Sequence, residues 1–555
     1  MSRCRIPAVT ATQNTAAQVD GAALNGSAGS YVESIDPSTN LGSDPAGGAV
    51  NKRFEATNPA EMPALLARAR AAQQQWQAKP LRERCAQMER LRDVVFDSRD
   101  EIADVITRET GKPRVEAILA EIALAIDTAG FFARRAPRWL RPERVPHHNF
   151  ALKAKSGWLE YEPYGVIAVI SPWNFPFSIP IALIVPALLA GNAVLLKPSE
   201  LTPWTGALIG ELFGRAGFPR DSLQVLQGGG ALGSAMIEAG PDKVAFTGSV
   251  ATGRLIAEAC GRKLIPSILE LGGKDAMIVL ADADLEVAAS AAVWGSFTNC
   301  GQACLSVERI YVEDAVAERF TVMCVEKTKQ LRVGGPSDAE AEVGPMIRLA
   351  QLEKVEAQLR DAVARGARIL TGGNRLPELG ANFLGPAVVA GVDHSMALMR
   401  EETFGPVMAI QRVASAEEAV ALANDSEFAL SGSVWTEDAQ RGREVASRMR
   451  AGSVMVNDVA SYYAICEAPH GGRGASGWGR THSRAGLMEM VQEKYVDVDR
   501  LPHMAKAWWY GYSAELAAAA SSFVDLLFAR RGTRRLKLLL GRKGAWRMVF
   551  RRDRV

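Results

Sequence analysis

The 555-residue chain reads as an α/β protein with two doubly wound parallel sheets, and three observations predict that class. Short apolar runs rich in β-branched residues alternate with helical patterns from Trp158 onward, the order of a parallel sheet. Those runs are apolar at every position instead of every second one, as strands covered on both faces are. A second unit of the same kind begins after Lys274.

The elements follow in order. Residues 1 to about 50 are rich in Ala, Gly, Ser, Thr and Asn, cannot bury enough surface to offset the entropy of ordering, and are expected to be disordered. From Asn58-Pro59 the pattern turns helical, with apolar positions recurring every three or four residues over 64–77, 82–99 and 101–132. Strands are predicted at Gly165-Val-Ile-Ala-Val-Ile170 and Ala193-Val-Leu-Leu-Lys197, joined by a helix over 180–190. The apolar run 179–196 is interrupted by Pro180, Pro186 and Gly191-Asn192, which marks a buried helix and strand instead of a membrane span. A helix at 206–216, a strand at 223–226, a helix at 231–239, a strand at 243–247 and a helix at 254–260 continue the alternation. Ligands of such sheets bind beyond the carboxyl ends of the strands, where Asn174, Lys197 and Gly248 fall. The second unit has strands at 276–280, 309–313 and 453–457 and a helix at 285–297, and the glycine-rich stretch 471–480 is predicted to be a loop.

A composition that is 48% apolar suits a soluble globular protein with a large core. Seven cysteines, at 4, 85, 260, 300, 304, 324 and 466, form no C-x-x-C pair, so neither a disulfide framework nor a metal site is indicated. A reducing cytoplasm fits, and the N-terminus lacks the apolar run of a secretory signal. The net charge of +2 hides an asymmetry, because 501–555 carries twelve Lys or Arg against three Asp or Glu. In that tail, 516–529 is apolar but broken by Asp525 and too short to cross a bilayer, and basic residues interleaved with Leu, Trp and Phe follow it. Such a pattern suits an interfacial helix on anionic lipid, or equally a docked helix with a solvated basic end. No nucleic-acid-binding module is recognisable, and the body is mildly acidic.

The stretch Phe297-Thr-Asn-Cys300-Gly-Gln-Ala-Cys304 places a cysteine behind a Gly-containing turn after an apolar helix. Cysteine attacks as the thiolate, so a useful nucleophile needs a partly exposed, electropositive setting. An arbitrary cysteine is more often just buried. Thirty-four residues upstream, however, lies Glu270-Leu-Gly-Gly-Lys274, a carboxylate on a double-glycine turn, and Pro172-Trp-Asn-Phe-Pro176 lies further upstream.

These blocks, in this order and spacing, resemble the aldehyde dehydrogenase superfamily over residues 54–496. The resemblance implies an aldehyde dehydrogenase-like fold. Its parts would be an NAD-binding domain (53–136 and 161–272), a catalytic domain (273–470) and a bridging β element for oligomerisation (137–160 and 471–500). An extension (1–52) and a basic tail (501–555) flank them. It implies Cys304 as nucleophile, Glu270 as the base that activates water, and Asn174 as an oxyanion donor beside the Cys304 backbone N–H. The cofactor would be held by Ile170, Pro172, Trp173, Lys197, Glu200, Gly248, Ser249, Gly253, Leu271, Glu402 and Phe404, with its pyrophosphate near Ser249. A carboxylate at Glu200 would accept from ribose hydroxyls and repel a 2′-phosphate, which favours NAD over NADP.

By the same resemblance the substrate channel includes Phe175, Ser178, Ile179, Ala182, Thr298, Ala303 and Leu305. Many succinate semialdehyde dehydrogenases place an arginine where Ala182 stands, so an aldehyde without a charged tail is the better expectation. Succinate semialdehyde, transfer of the acyl group to CoA, and a catalytically silent membrane-bound scaffold are the alternatives. Cys300 is expected to pack quietly or to close a reversible disulfide with Cys304. A homodimer or homotetramer is implied.

Overall fold

The computed structural model of the chain describes residues 40–41, 45–46, 53–149, 152–504, 506 and 508–528. The expected disorder of the N-terminal extension and the basic end of the tail therefore lie almost wholly outside the described residues.

Two sheets organise the molecule. In the first, six strands run in the order Gly477–Trp478, Ser267–Glu270, Lys243–Thr247, Val166–Ile170, Ala193–Lys197 and Leu223–Val225. All pairs are parallel except the Gly477–Trp478 edge. Strand Val166–Ile170 explains its own composition. Val166, Ala168 and Ile170 pack with Met62, Leu65, Leu66 and Ala69 of helix Met62–Gln77 on one face. Ile167 and Val169 pack with Ile181, Ile184 and Leu188 of helix Ser178–Ala190 on the other. A two-residue period with both faces covered yields a run that is apolar throughout.

From Val166–Ile170 the chain steps outward through 193–197 and 223–225, then returns to the opposite side at 243–247. The strand order thus reverses between Val166–Ile170 and Lys243–Thr247, and a crevice opens at their carboxyl ends. The segment 271–274 carries the chain from strand Ser267–Glu270 into strand Asp275–Val279 of the second sheet. That sheet has seven strands, in the order Arg368–Thr371, Ala387–Ala390, Val407–Val413, Val307–Glu313, Asp275–Val279, Ser431–Trp435 and Ser453–Val456. A third sheet pairs Val491–Asp499 with Lys155–Pro163, and that strand with Glu143–Val145.

Several expectations change. The helical run 101–132 is interrupted, because helix Arg99–Thr110 ends at Gly111 in the left-handed region (φ 75°) and Pro113 precedes the next turn. A side chain at Gly111 would run into Pro345. The chain resumes at Arg114–Ala117 and continues through a π-turn, Ile118–Ile122, into helix Ala123–Trp139. The stretch 471–480 is not all loop. Its Gly477–Trp478 pair with Glu270 and Leu269, so within 471–500 only Val491–Asp499 joins the three-stranded sheet. In the tail, Ala514–Phe528 is a helix, and no helix among the described residues is long and apolar enough to cross a membrane.

Candidate active site

The loop 298–304 is built on strain. Asn299, Cys300 and Gly301 all take positive φ values (51°, 57° and 68°), a sequence of left-handed residues that L side chains resist. Gly301 is required there, since a Cβ would strike the Gly405 carbonyl. Buried polar groups hold the turn. The Glu116 carboxylate accepts from the Thr298 hydroxyl (3.0 Å) and the Asn299 N–H (3.0 Å). The Gln302 amide donates to the Asn299 carbonyl (3.0 Å) and accepts from the Ile347 N–H (2.9 Å). Burial raises the Glu116 pKa, and the bond from Asn299 works against that rise. The turn leaves Cys304 half-buried while Cys300 points into the core, its Sγ 3.6 Å from the Met346 sulfur. That placement matches quiet packing of Cys300; both thiols are free.

Asn174 is brought to this turn by a second buried network. Its Nδ2 donates to the Gln302 carbonyl (3.0 Å), and its own carbonyl accepts from Asn299 Nδ2 (2.9 Å) and Lys112 Nζ (2.8 Å). Lys112 also pairs with Glu121 at 2.6 Å, with both side chains fully buried. Glu121 in turn accepts from the Phe177 and Ser178 N–H groups that start the next helix. Phe175 lies against the Lys112 ammonium, 4.0 Å from ring centroid to nitrogen. Lys112, Glu116 and Glu121 were not singled out in the sequence, where nothing separates them from surface charges in an amphipathic pattern.

Cys304 and Glu270 share one cleft, lined also by Ile179, Ala182, Leu183, Thr247, Leu271, Tyr463, His470 and Thr481. Ile179 and Ala182 were expected there. Phe175, Ser178, Thr298, Ala303 and Leu305 do not line it. Glu270, the last residue of its strand, is 5% exposed, and its oxygens accept no hydrogen bond of regular geometry. His470 Nε2 lies 3.3 Å from its Oε2. Burial pushes its pKa up, against the pull of His470 and Arg480.

On balance the groups around the Cys304 thiol do not lower its pKa. Burial raises the Cys304 pKa, and the Asp275, Glu402 and Glu270 carboxylates raise it further, with only the local backbone N–H opposing. Of the three acids only Glu270 lines the cleft; Asp275 begins the next strand, and Glu402 lies on a turn of the second unit. Asp275, bonded by the Ser431 N–H (2.9 Å) and hydroxyl, is itself pushed up to about 8 by burial.

The expected cofactor residues gather along the crevice of the first sheet. Ile170, Pro172 and Trp173 follow one central strand, and Gly248 and Ser249 follow the other. Ser249 caps helix Val250–Lys263, its hydroxyl accepting from the Thr252 N–H (3.3 Å). Gly253 must lack a side chain because a Cβ would overlap Leu271. Lys197 Nζ donates to the Gly228 carbonyl (2.7 Å) and stands 3.4 Å from Glu200, which is a third exposed. At the other end Glu402 accepts from the Gly273 N–H (3.0 Å), and the Phe404 ring meets Trp173 edge-on at 5.5 Å. Unpaired helix N–H groups, a lysine and an accessible carboxylate at one end, with a second carboxylate near the thiol, fit the phosphates and two riboses of a dinucleotide. Among the described residues no group of acids, histidines and cysteines could hold a metal ion.

A model of the aldehyde dehydrogenase family matches residues 31–496. A 4,4'-diapolycopene aldehyde oxidase of Methylomonas sp is 39% identical over 87% of this chain and 90% of its own length. A putative succinate-semialdehyde dehydrogenase [NADP(+)] of Mycolicibacterium smegmatis is 42% identical over 80% and 85%. The solved structure of PnpE with nicotinamide adenine dinucleotide aligns with a TM-score of 0.80 at 32% identity, covering 83% of this chain and 94% of that one. An NADP-dependent enzyme of E. coli aligns with a TM-score of 0.79 at 32% identity, covering 83% and 95%.

Proposed function

The chain belongs to the aldehyde dehydrogenase family, and we propose that it oxidises an uncharged, apolar aldehyde to its carboxylic acid, with NAD as acceptor. The observation that carries this reading is the common cleft of Cys304 and Glu270, whose other walls are Ile179, Ala182, Leu183, Leu271 and Tyr463 with Thr247, His470 and Thr481, and include no Lys or Arg. The names of the relatives divide between a diapolycopene aldehyde and succinate semialdehyde, one without and one with a distal carboxylate. A carboxylate-bearing substrate would meet Ala182 where a cation is needed, next to Glu270 and without compensation.

In this mechanism Cys304 Sγ bonds to the carbonyl carbon, and the oxyanion accepts from Asn174 Nδ2 and the Cys304 N–H. The bound dinucleotide supplies the hydride acceptor. An acyl group is then left on sulfur, and Glu270 takes a proton from the water that attacks it. Glu270 also favours hydrolysis over transfer to CoA, which needs no such base. Free thiols at the six described cysteines suit a reducing cytoplasm.

Preference for NAD is supported by Glu200, whose partly exposed carboxylate would repel a 2′-phosphate. Substituting Glu200→Ala should narrow the ratio of kcat/KM for NAD over NADP. A homo-oligomer is supported by Val491–Asp499, a nine-residue edge strand with Tyr495 and Val498 exposed, open to pairing with a second copy. Light scattering would read a dimer or tetramer, and a monomer would contradict it. Peripheral contact with anionic lipid has its own support in Trp508, Trp509, Tyr510 and Tyr512, all exposed ahead of the basic end of the sequence. Cosedimentation of the full chain with phosphatidylserine vesicles, lost at high salt, is the expected result, and recovery only in the supernatant would contradict it.

The substrate is tested by NADH release over aldehydes of increasing chain length, each with and without a terminal carboxylate. Rising kcat/KM along the uncharged series is expected. A sharp preference for the carboxylates would overturn the apolar assignment.

A further inference from the structure

Among the described residues His470 is the only titratable side chain in ion-pair contact with the proposed base, and sequence patterns did not single it out. It reaches Glu270 from a separate segment. Its N–H donates to the Thr481 carbonyl (2.9 Å) and its carbonyl accepts from the Thr481 N–H (2.8 Å), so the hairpin 470–481 is closed at its base. The same hairpin is fastened to the strand bearing Glu270 through Gly477. The ring is clamped edge-on by Tyr463 (centroids 4.8 Å apart), and Nδ1 lies 3.0 Å from the Tyr462 hydroxyl. Nε2 stands 3.3 Å from Glu270 Oε2, both side chains being 6% exposed. A buried carboxylate with no other partner and an imidazole fixed on its far side form a relay of three groups.

We infer that His470 positions Glu270 and receives from it the proton taken from the hydrolytic water. This rests on the aldehyde-oxidising reading and deepens it. In deacylation the water oxygen bonds to the acyl carbon, its O–H bond breaks, and the proton passes to a Glu270 oxygen. The C–S bond breaks with its electron pair kept by sulfur. The proton moves on to His470 Nε2, giving an imidazolium whose Nδ1–H is donated to Tyr462, and leaves Glu270 ionised. It returns by the same route to the Cys304 thiolate, so thioester and water become acid and thiol.

The groups facing this relay are Cys304, Tyr462, Tyr463, His482, Arg480, Glu489 and Asp275. Both tyrosine hydroxyls are driven well up by burial, and burial drives His482 down to about 3, so none of these three competes for the proton near neutrality.

The test separates acylation from deacylation with 4-nitrophenyl acetate, which acylates a thiol without any cofactor. His470→Phe should keep a nitrophenolate burst of one per chain, which also reports a folded protein with a live thiol. Its steady rate should fall on the order of 100-fold. The acidic limb of the deacylation profile should move to higher pH, because the group that favours ionised Glu270 is gone. His470→Gln, which keeps a donor but cannot take up a proton, should restore substrate KM and not the rate. Tyr462→Phe should move the same limb by less. Unchanged deacylation and pH profile in the histidine variants would overturn the inference alone. A burst that persists in Cys304→Ala would instead remove the underlying reading and this inference together.

Discussion

Asn174 and Cys304 lie on different segments, and the bonds that join their loops decide how much each contributes. The Asn174 Nδ2 bond to the Gln302 carbonyl fixes the amide, so holding it adds no cost of ordering at the moment of reaction. Asn174→Ala is expected to lower kcat by about 100-fold or more, near 3 kcal/mol of barrier, with little change in KM. Steady-state kinetics would show this, and a change confined to KM would contradict an oxyanion role. At this scale the meeting of Cys304 and Glu270 in one cleft was legible in the sequence, because both sit in glycine-marked blocks with family spacing. His470 and Tyr463 were not, since the cleft brings them in from a segment two hundred residues beyond Glu270.

At the scale of elements, the buried Lys112–Glu121 pair links the turn after helix Arg99–Thr110 to the start of helix Ser178–Ala190. Removing one member of a fully buried pair leaves an uncompensated charge. Lys112→Met is therefore expected to destabilise the protein by about 3–5 kcal/mol, and Lys112→Met with Glu121→Gln by clearly less. Urea unfolding of the two variants measures the difference, and equal losses would show that the pair is not the cause. The strands and helices of the first sheet were readable because each apolar run has one dominant period. Helix Arg99–Thr110 was overextended, since Gly111 and Pro113 break it while the apolar spacing continues beyond them. Gly477–Trp478 was missed because glycines that suit a loop also suit a two-residue edge strand lying against Leu269.

For the whole molecule, several acids are buried against their own ionisation. Glu109, 1% exposed, accepts from the Trp204 and Thr205 N–H groups and the Thr205 hydroxyl, yet burial outweighs these bonds and lifts it from 4.5 to about 7. Asp275 is lifted to about 8. The native state then binds more protons than the unfolded chain between the two pKa values, so stability falls as pH rises through that window. A loss on the order of 3 kcal/mol for Glu109 alone is expected between pH 4.5 and 7.5. Denaturant unfolding across that range checks it, and stability that rises with pH would contradict it. The two-sheet architecture was visible in the sequence as two separate α/β alternations. The cleft between them was not, because it depends on how strand Ser267–Glu270 hands the chain over to strand Asp275–Val279.

The central claim is that the acyl group passes through Cys304 and is released by Glu270. The direct measurement is the mass of the Glu270→Gln protein, quenched in acid after mixing with NAD and an aliphatic aldehyde and then digested. One acyl group per chain on the peptide containing Cys304, formed together with one equivalent of NADH, is the expected result. An unmodified Cys304 peptide after that NADH has appeared, or an acyl group on any other residue, would contradict it.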